Sequence, residues 1–130
     1  MFKRFALSPL IFTAALDCQG VPALAGPADV KSVECRFEAG GTFRLDVTVA
    51  HDDAGWDHFA DIWQVLGPDG SVLGERVLAH PHDNEQPFTR SQSGIEIPSD
   101  INSVTIRAHD KIHGWGGKEI VIKRTECSAG

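Results

Sequence analysis

From Ser32 onward, polar and apolar residues alternate. Val33, Cys35 and Phe37 interleave with Glu34, Arg36 and Glu38, and Gly40-Gly41 then turns the chain. Phe43, Leu45, Val47 and Val49 alternate with Arg44, Asp46 and Thr48 in the cleanest period-2 run, which ends at His51 and predicts a half-buried strand. A third run, Ala60 to Leu66, stops at Gly67-Pro68-Asp69-Gly70. Proline followed by Asp-Gly is a tight-turn signal, so this run forms a hairpin with Ser71 to Ala79. Phe88 to Ile97 is a fifth run, closed by Pro98. Ser103 to Ala108 is a sixth, with Val104 and Ile106 inward, and Lys118 to Arg124 a seventh, with Ile120 and Ile122 inward. No helical period of comparable length occurs. Seven short strands at this spacing predict one all-β domain over residues 26–130, an antiparallel sandwich.

Residues 1–25 read as an export signal. Lys3 and Arg4 are a basic start, Phe5 to Leu16 an apolar stretch, and Ala23-Leu24-Ala25 the small residues that precede cleavage before Gly26. The apolar stretch is shorter than the ~20 residues that span a bilayer. Cys18 invites a lipoprotein reading, but Asp17 stands where such signals carry a small uncharged residue. The expectation is therefore a soluble periplasmic protein, without membrane insertion or a lipid anchor. Cleavage removes Cys18 and leaves Cys35 and Cys127, an even pair in an oxidising compartment, which predicts a disulfide between the first and last strands.

Charge narrows the partners. The 130 residues carry 12 Lys and Arg against 18 Asp and Glu, a net −6, with no basic run to meet a phosphate backbone, so nucleic acid is not an expected partner. Gly-x-Ser-x-Gly, His-Glu-x-x-His and phosphate-cradling glycine loops are absent from the sequence. Gly114-Trp115-Gly116-Gly117 reads as a hairpin turn. The chain is accordingly expected to bind rather than to catalyse.

The strand pattern resembles the immunoglobulin and fibronectin type III sandwiches in architecture, and Trp63 stands where such domains bury a core tryptophan. Cys35 and Cys127 depart from that pattern, since the antibody disulfide joins the second and sixth strands. Gly55-Trp56-Asp57-His58, the run from His80-Pro81-His82 through Glu85-Gln86-Pro87-Phe88-Thr89-Arg90-Ser91, and His113-Gly114-Trp115-Gly116-Gly117 are similar to a set of small exported bacterial proteins, a resemblance that implies no particular activity.

The placement of the six histidines is the strongest functional signal. If strands alternate in direction, the connections after the second, fourth and sixth runs share one pole. His51 and His58 flank the first of these, His80 and His82 open the second, and His109 and His113 bracket the third. The connections at the other pole contain none. Asp52, Asp53, Asp57, Asp83, Glu85 and Asp110 share the histidine pole and offer carboxylates to orient imidazoles toward a metal. His51, His80, His82 and His109, then His58 and His113, with Asp52 or Asp110 as partners, are the candidate ligands. Met1 is the sole methionine and the remaining cysteines pair, so the donors are imidazole and carboxylate, suited to Zn²⁺ or Cu²⁺. His80 and His82 are expected to project to one side of extended chain, and His109 and His113 to converge across a turn. The same Asp–His pairs also serve as hydrogen-bonded loop ties without a metal. Trp56 and Trp115 read either as loop anchors or as a platform for a carbohydrate or protein ligand. Arg90 reads as an ion pair with Glu85 or as an anion clamp.

Overall fold

A computed structural model describes residues 26–129. The export signal assigned to residues 1–25 lies outside the described residues. The chain folds into β1 (Asp29–Phe37), β2 (Phe43–Ala50), β3 (Ala60–Leu66), β4 (Val72–Val77), β5 (Phe88–Ile95), β6 (Ser103–Asp110), β7 (Ile120–Lys123) and β8 (Ser128–Ala129). They form two four-stranded sheets, in the orders β5-β2-β1-β8 and β4-β3-β6-β7. One 3₁₀ turn, Arg124–Glu126, and no α-helix occur among the described residues.

The period-2 runs become strands because each has one face to bury. Leu45, Val47 and Val49 on β2 meet Trp63 and Val65 on β3 and Val104, Ile106 and Ala108 on β6 in a continuous core, with Trp63 fully buried. The edge strand β4 has no buried residue and is shorter than the Ser71–Ala79 run.

Three departures from the sequence pattern have local causes. The first strand begins at Asp29, and the register slips between Val30 and Ser32, so Ala28 and Val30 reach the core; Phe37, the last residue of the strand, is left exposed against the edge of Phe43. The sixth strand continues through His109 and Asp110, because β3 supplies ladder partners that far. The seventh run stops at Lys123, where the chain enters the 3₁₀ turn and returns as an eighth strand, β8, parallel to β1.

Cys35 and Cys127 are bonded, 92 residues apart in sequence. Cys35 pairs with Leu45 near the Glu38–Thr42 turn, so the disulfide lies at the end of the sandwich away from His51. At the other end the β6–β7 connection crosses the start of β1. The backbone N–H of Lys118 donates to the Asp29 carboxylate at 2.8 Å, and a Cβ on Gly117 would overlap the Ala28 carbonyl, so only glycine fits.

Loop-closure entropy assigns the disulfide about 4–5 kcal/mol. A Cys35→Ser, Cys127→Ser double variant should lose that much in a urea unfolding titration. A loss under about 1 kcal/mol would mean that the unfolded chain is already constrained.

Candidate functional site

The inward-facing rows of two strands end in polar residues. On β2 the series Leu45, Val47, Val49 continues to His51, and on β6 the series Val104, Ile106, Ala108 continues to Asp110. Both polar residues are buried. Strand alternation thus carries two ionisable groups beneath the open end of the core, one from each sheet. His58 joins them from the connection before β3. Its Nε2 lies 3.3 Å from His51 Nε2 and 3.4 Å from Asp110 Oδ1, while His51 Nε2 lies 3.3 Å from Asp110 Oδ2.

Asp53 orients this triangle. Its side chain is fully buried, and its Oδ1 accepts the Nδ1–H of His51 at 2.6 Å and the backbone N–H of Ala60 at 3.1 Å. Its Oδ2 accepts the backbone N–H of His82 at 2.6 Å. Donation from Nδ1 leaves the His51 Nε2 lone pair directed at His58 and Asp110. Burial raises the Asp110 carboxyl, but the backbone N–H groups of His113 and Ile112 and the His113 ring all donate to it, and together they hold it below the ordinary carboxylate range.

Proton counting exposes an incompatibility. His51 Nε2 is an acceptor, and His58 Nε2 carries at most one proton, which can go to His51 or to Asp110 but not to both. The contact between His51 Nε2 and Asp110 then has no proton in it unless an imidazole becomes cationic or the carboxyl is protonated, which its three N–H donors oppose. A cation at the centre of the triangle removes the conflict, since all three groups face it with lone pairs.

The other histidines lie outside this centre. His109 and Asp110 are consecutive on β6 and project to opposite faces, so the pair His109 and His113 does not converge. His109 Nδ1 donates to Asp61 at 2.6 Å and its ring packs on Trp115, 4.7 Å between centroids. His113 reaches the centre by holding Asp110 through Nδ1, at 3.2 Å. His80 and His82 do lie side by side, with centroids 4.7 Å apart. His80 is exposed and donates to its neighbour Pro81, whereas His82 is buried flat against Phe88, 3.8 Å between centroids. Asp52 is exposed, and the orienting carboxylate is its neighbour, Asp53. Trp56 is 65% exposed, Trp115 is held under the Arg107 guanidinium at 4.0 Å, and Arg90 pairs with Glu85 at 3.2 Å. Asp61 and Gln86 had no sequence signal. Gln86 ties the loops by accepting the His51 backbone N–H at 3.0 Å and donating to the His82 carbonyl at 3.1 Å.

The chain is 42% identical over 102 residues to a protein of Halomicrobium mukohataei named "Putative lipoprotein". The match covers 78% of this chain and 49% of that protein, so the chain spans about half the length of the curated relative it matches. No family model matches the chain, and no solved structure matches it.

Two outcomes follow from these contacts. Asp53→Asn replaces an oxygen by an N–H facing donors, and should destabilise the fold by about 3 kcal/mol in chemical denaturation. Burial, with Arg90 and His80 adding to it, pushes His82 in the folded protein below its ordinary value of about 6.5, so between the lowered value and about pH 6.5 the unfolded chain binds the extra proton. Stability from this residue is complete above about pH 6.5 and falls as the solution is acidified. His82→Phe, which keeps the ring stacking, should flatten the fall between pH 7 and 5. An unchanged slope would assign it to other groups.

Proposed function

We propose that this is an exported β-sandwich that binds one divalent cation through His51 Nε2, His58 Nε2 and an Asp110 oxygen, with Asp53 fixing the His51 ring and His113 the carboxylate. The observation that carries this reading is the convergence of the two Nε2 atoms, 3.3 Å apart, on one carboxylate, His51 facing Asp110 Oδ2 at 3.3 Å and His58 facing Oδ1 at 3.4 Å. A tetrahedral ion with bonds of about 2.0–2.1 Å places its ligands about 3.3–3.4 Å apart. Square-planar ligands at similar bond lengths sit about 2.8–2.9 Å apart when adjacent and about 4 Å apart when opposite. The 3.3 Å between the two imidazole nitrogens therefore suits tetrahedral Zn²⁺ better than square-planar Cu²⁺. A carboxylate bonded to the far nitrogen of a ligating histidine is also the usual support of a zinc-bound imidazole.

Binding rather than turnover is the role that fits these surroundings. The His51 and Asp110 side chains are sealed from solvent, so substrate access is confined to the side of His58. The sheet orders β5-β2-β1 and β4-β3-β6-β7 favour a fibronectin type III-like member of the sandwich class, with β8 as an added edge. Export rests on the basic and apolar pattern of residues 1–25 and agrees with the name of the Halomicrobium mukohataei relative. The reading takes the cleaved form to be periplasmic, and the mass of the mature amino terminus separates cleavage before Gly26 from lipidation at Cys18.

Calorimetric titration of the metal-stripped protein should show one Zn²⁺ per chain, with Cu²⁺ bound in a different geometry. His58→Ala should weaken zinc by at least about a hundredfold and Asp53→Asn by about 10–100-fold. A His80→Ala, His82→Ala double variant should keep the one-to-one stoichiometry. Absence of stoichiometric zinc, or zinc lost only in the double variant, would refute the proposed centre.

A further inference from the structure

A second site lies beside this centre. The segment His80 to Glu85 and the Gly55–Trp56 corner enclose an open cleft of about 520 Å³. Trp56 is the most exposed large apolar side chain among the described residues, and an edge-to-face contact with Phe59, 5.7 Å between centroids, holds it while leaving most of the indole open to the cleft. The two walls are joined: Asp83 accepts the backbone N–H of Gly55 at 3.3 Å, and the backbone N–H of His82 is held by Asp53. His82 lines the cleft with a side chain that is only 3% exposed, and neither of its ring nitrogens has a hydrogen-bond partner. A buried imidazole without hydrogen-bond partners is free to meet a ligand group that donates or accepts.

We propose that this cleft binds a neutral, hydroxylated ring, the chemistry of a saccharide, with Trp56 as the stacking platform and His82, Asp83 and Asn84 as the polar partners. Each alternative ligand class meets an obstacle. An anion would face Asp83 and Glu85 at the rim. A quaternary ammonium needs a cage of aromatic faces, and Trp56 is the single indole or phenyl ring lining the cleft. A purely apolar ligand would strip water from Asp83, Asn84 and Glu85 without replacing it. A hydroxyl both donates and accepts, so it satisfies whichever nitrogen of a neutral His82 it meets, while the C–H face of the ring covers the indole. His80, exposed and beside His82 with ring centroids 4.7 Å apart, is the neighbouring side chain that would move to admit it.

The test is titration of the full mature protein, with and without one equivalent of Zn²⁺, against maltotetraose, cellotetraose and chitotetraose, followed by calorimetry and by the Trp56 indole N–H signal in NMR. Tetramethylammonium and sulfate serve as the cationic and anionic comparisons. The expected result is saturable binding of at least one oligosaccharide that shifts the Trp56 signal. It should weaken about tenfold in Trp56→Ala, weaken also in Asn84→Ala, and stay unchanged in Trp115→Ala. Both of the weakening substitutions are at exposed positions, and circular dichroism checks that the fold is kept. The proposal is overturned if none of the three oligosaccharides binds, if Trp56→Ala leaves affinity unchanged, or if tetramethylammonium or sulfate binds more tightly than the sugars. Saccharide binding without zinc binding would refute the metal centre alone, and zinc binding without saccharide binding would refute this site alone.

Discussion

Three donors converge on the Asp53 carboxylate, and the histidine end of the molecule is arranged around them. Oδ1 takes the His51 ring and the first residue of β3, and Oδ2 takes the backbone of His82. A fully buried carboxylate with fewer partners would carry an uncompensated desolvation cost of several kcal/mol. With these partners it becomes the fixed point from which the β2–β3 and β4–β5 connections both hang. Gln86 repeats the pattern in neutral form, bridging the His51 and His82 backbones. Two loops without regular secondary structure are thereby tied together through buried hydrogen bonds, the kind of support that preorganises the side chains they carry.

The two ends of the sandwich are closed by different means. At one end the disulfide links β1 to the segment after β7, a cross-link that acts largely through the unfolded chain and needs no continuing order around it. At the other, the apolar rows of β2 and β6 give way to His51 and Asp110, and the sheets meet through polar atoms. Replacing those two residues by aliphatic side chains would extend the core by one layer, as buried polar groups rarely match the stability of packed hydrocarbon. A fold that sets a histidine and a carboxylate at the two positions where leucine or valine would pack gives up stability there, and that substitution pattern is what points to a ligand.

Strand positions were legible because burial in a sandwich is one-sided. The alternation of β2 predicts its inward row, including His51, and Trp63 is core as its place in the third run implies. The gathering of histidines at one pole also follows from strand parity. What parity could not supply is which of them meet. That depends on residues consecutive in sequence pointing to opposite faces, and on where each strand stops. The two extra residues of β6 send His109 outward to Asp61 and Asp110 inward to His51 and His58, a split invisible while the strand is taken to end at Ala108. Asp52 and Asp53 are chemically identical neighbours, and only the path of the chain after Ala50 decides which one is buried. Val30 was obscured by the bulge in β1, since a one-residue slip exchanges the inner and outer faces without leaving a mark in composition.

The proposed metal centre and the cleft share the Asp53 carboxylate, and this constrains both. One oxygen sets the direction of the His51 ring and the other the height of the His82 backbone, so neither can move far without turning the carboxylate. A cation drawing on the His51 lone pair strengthens the Nδ1–H donation to Asp53 through the polarised ring. A more firmly held Asp53 in turn restricts the segment carrying His82 and Asp83, whose contact with Gly55 closes the circuit back to the Trp56 corner. Any free energy by which the cation stiffens the cleft must return, by linkage, as tighter cation binding when the cleft is filled. The connection requires no movement of either sheet. It runs through two loops and one buried side chain, within a single hydrogen-bonded layer at the end of the core.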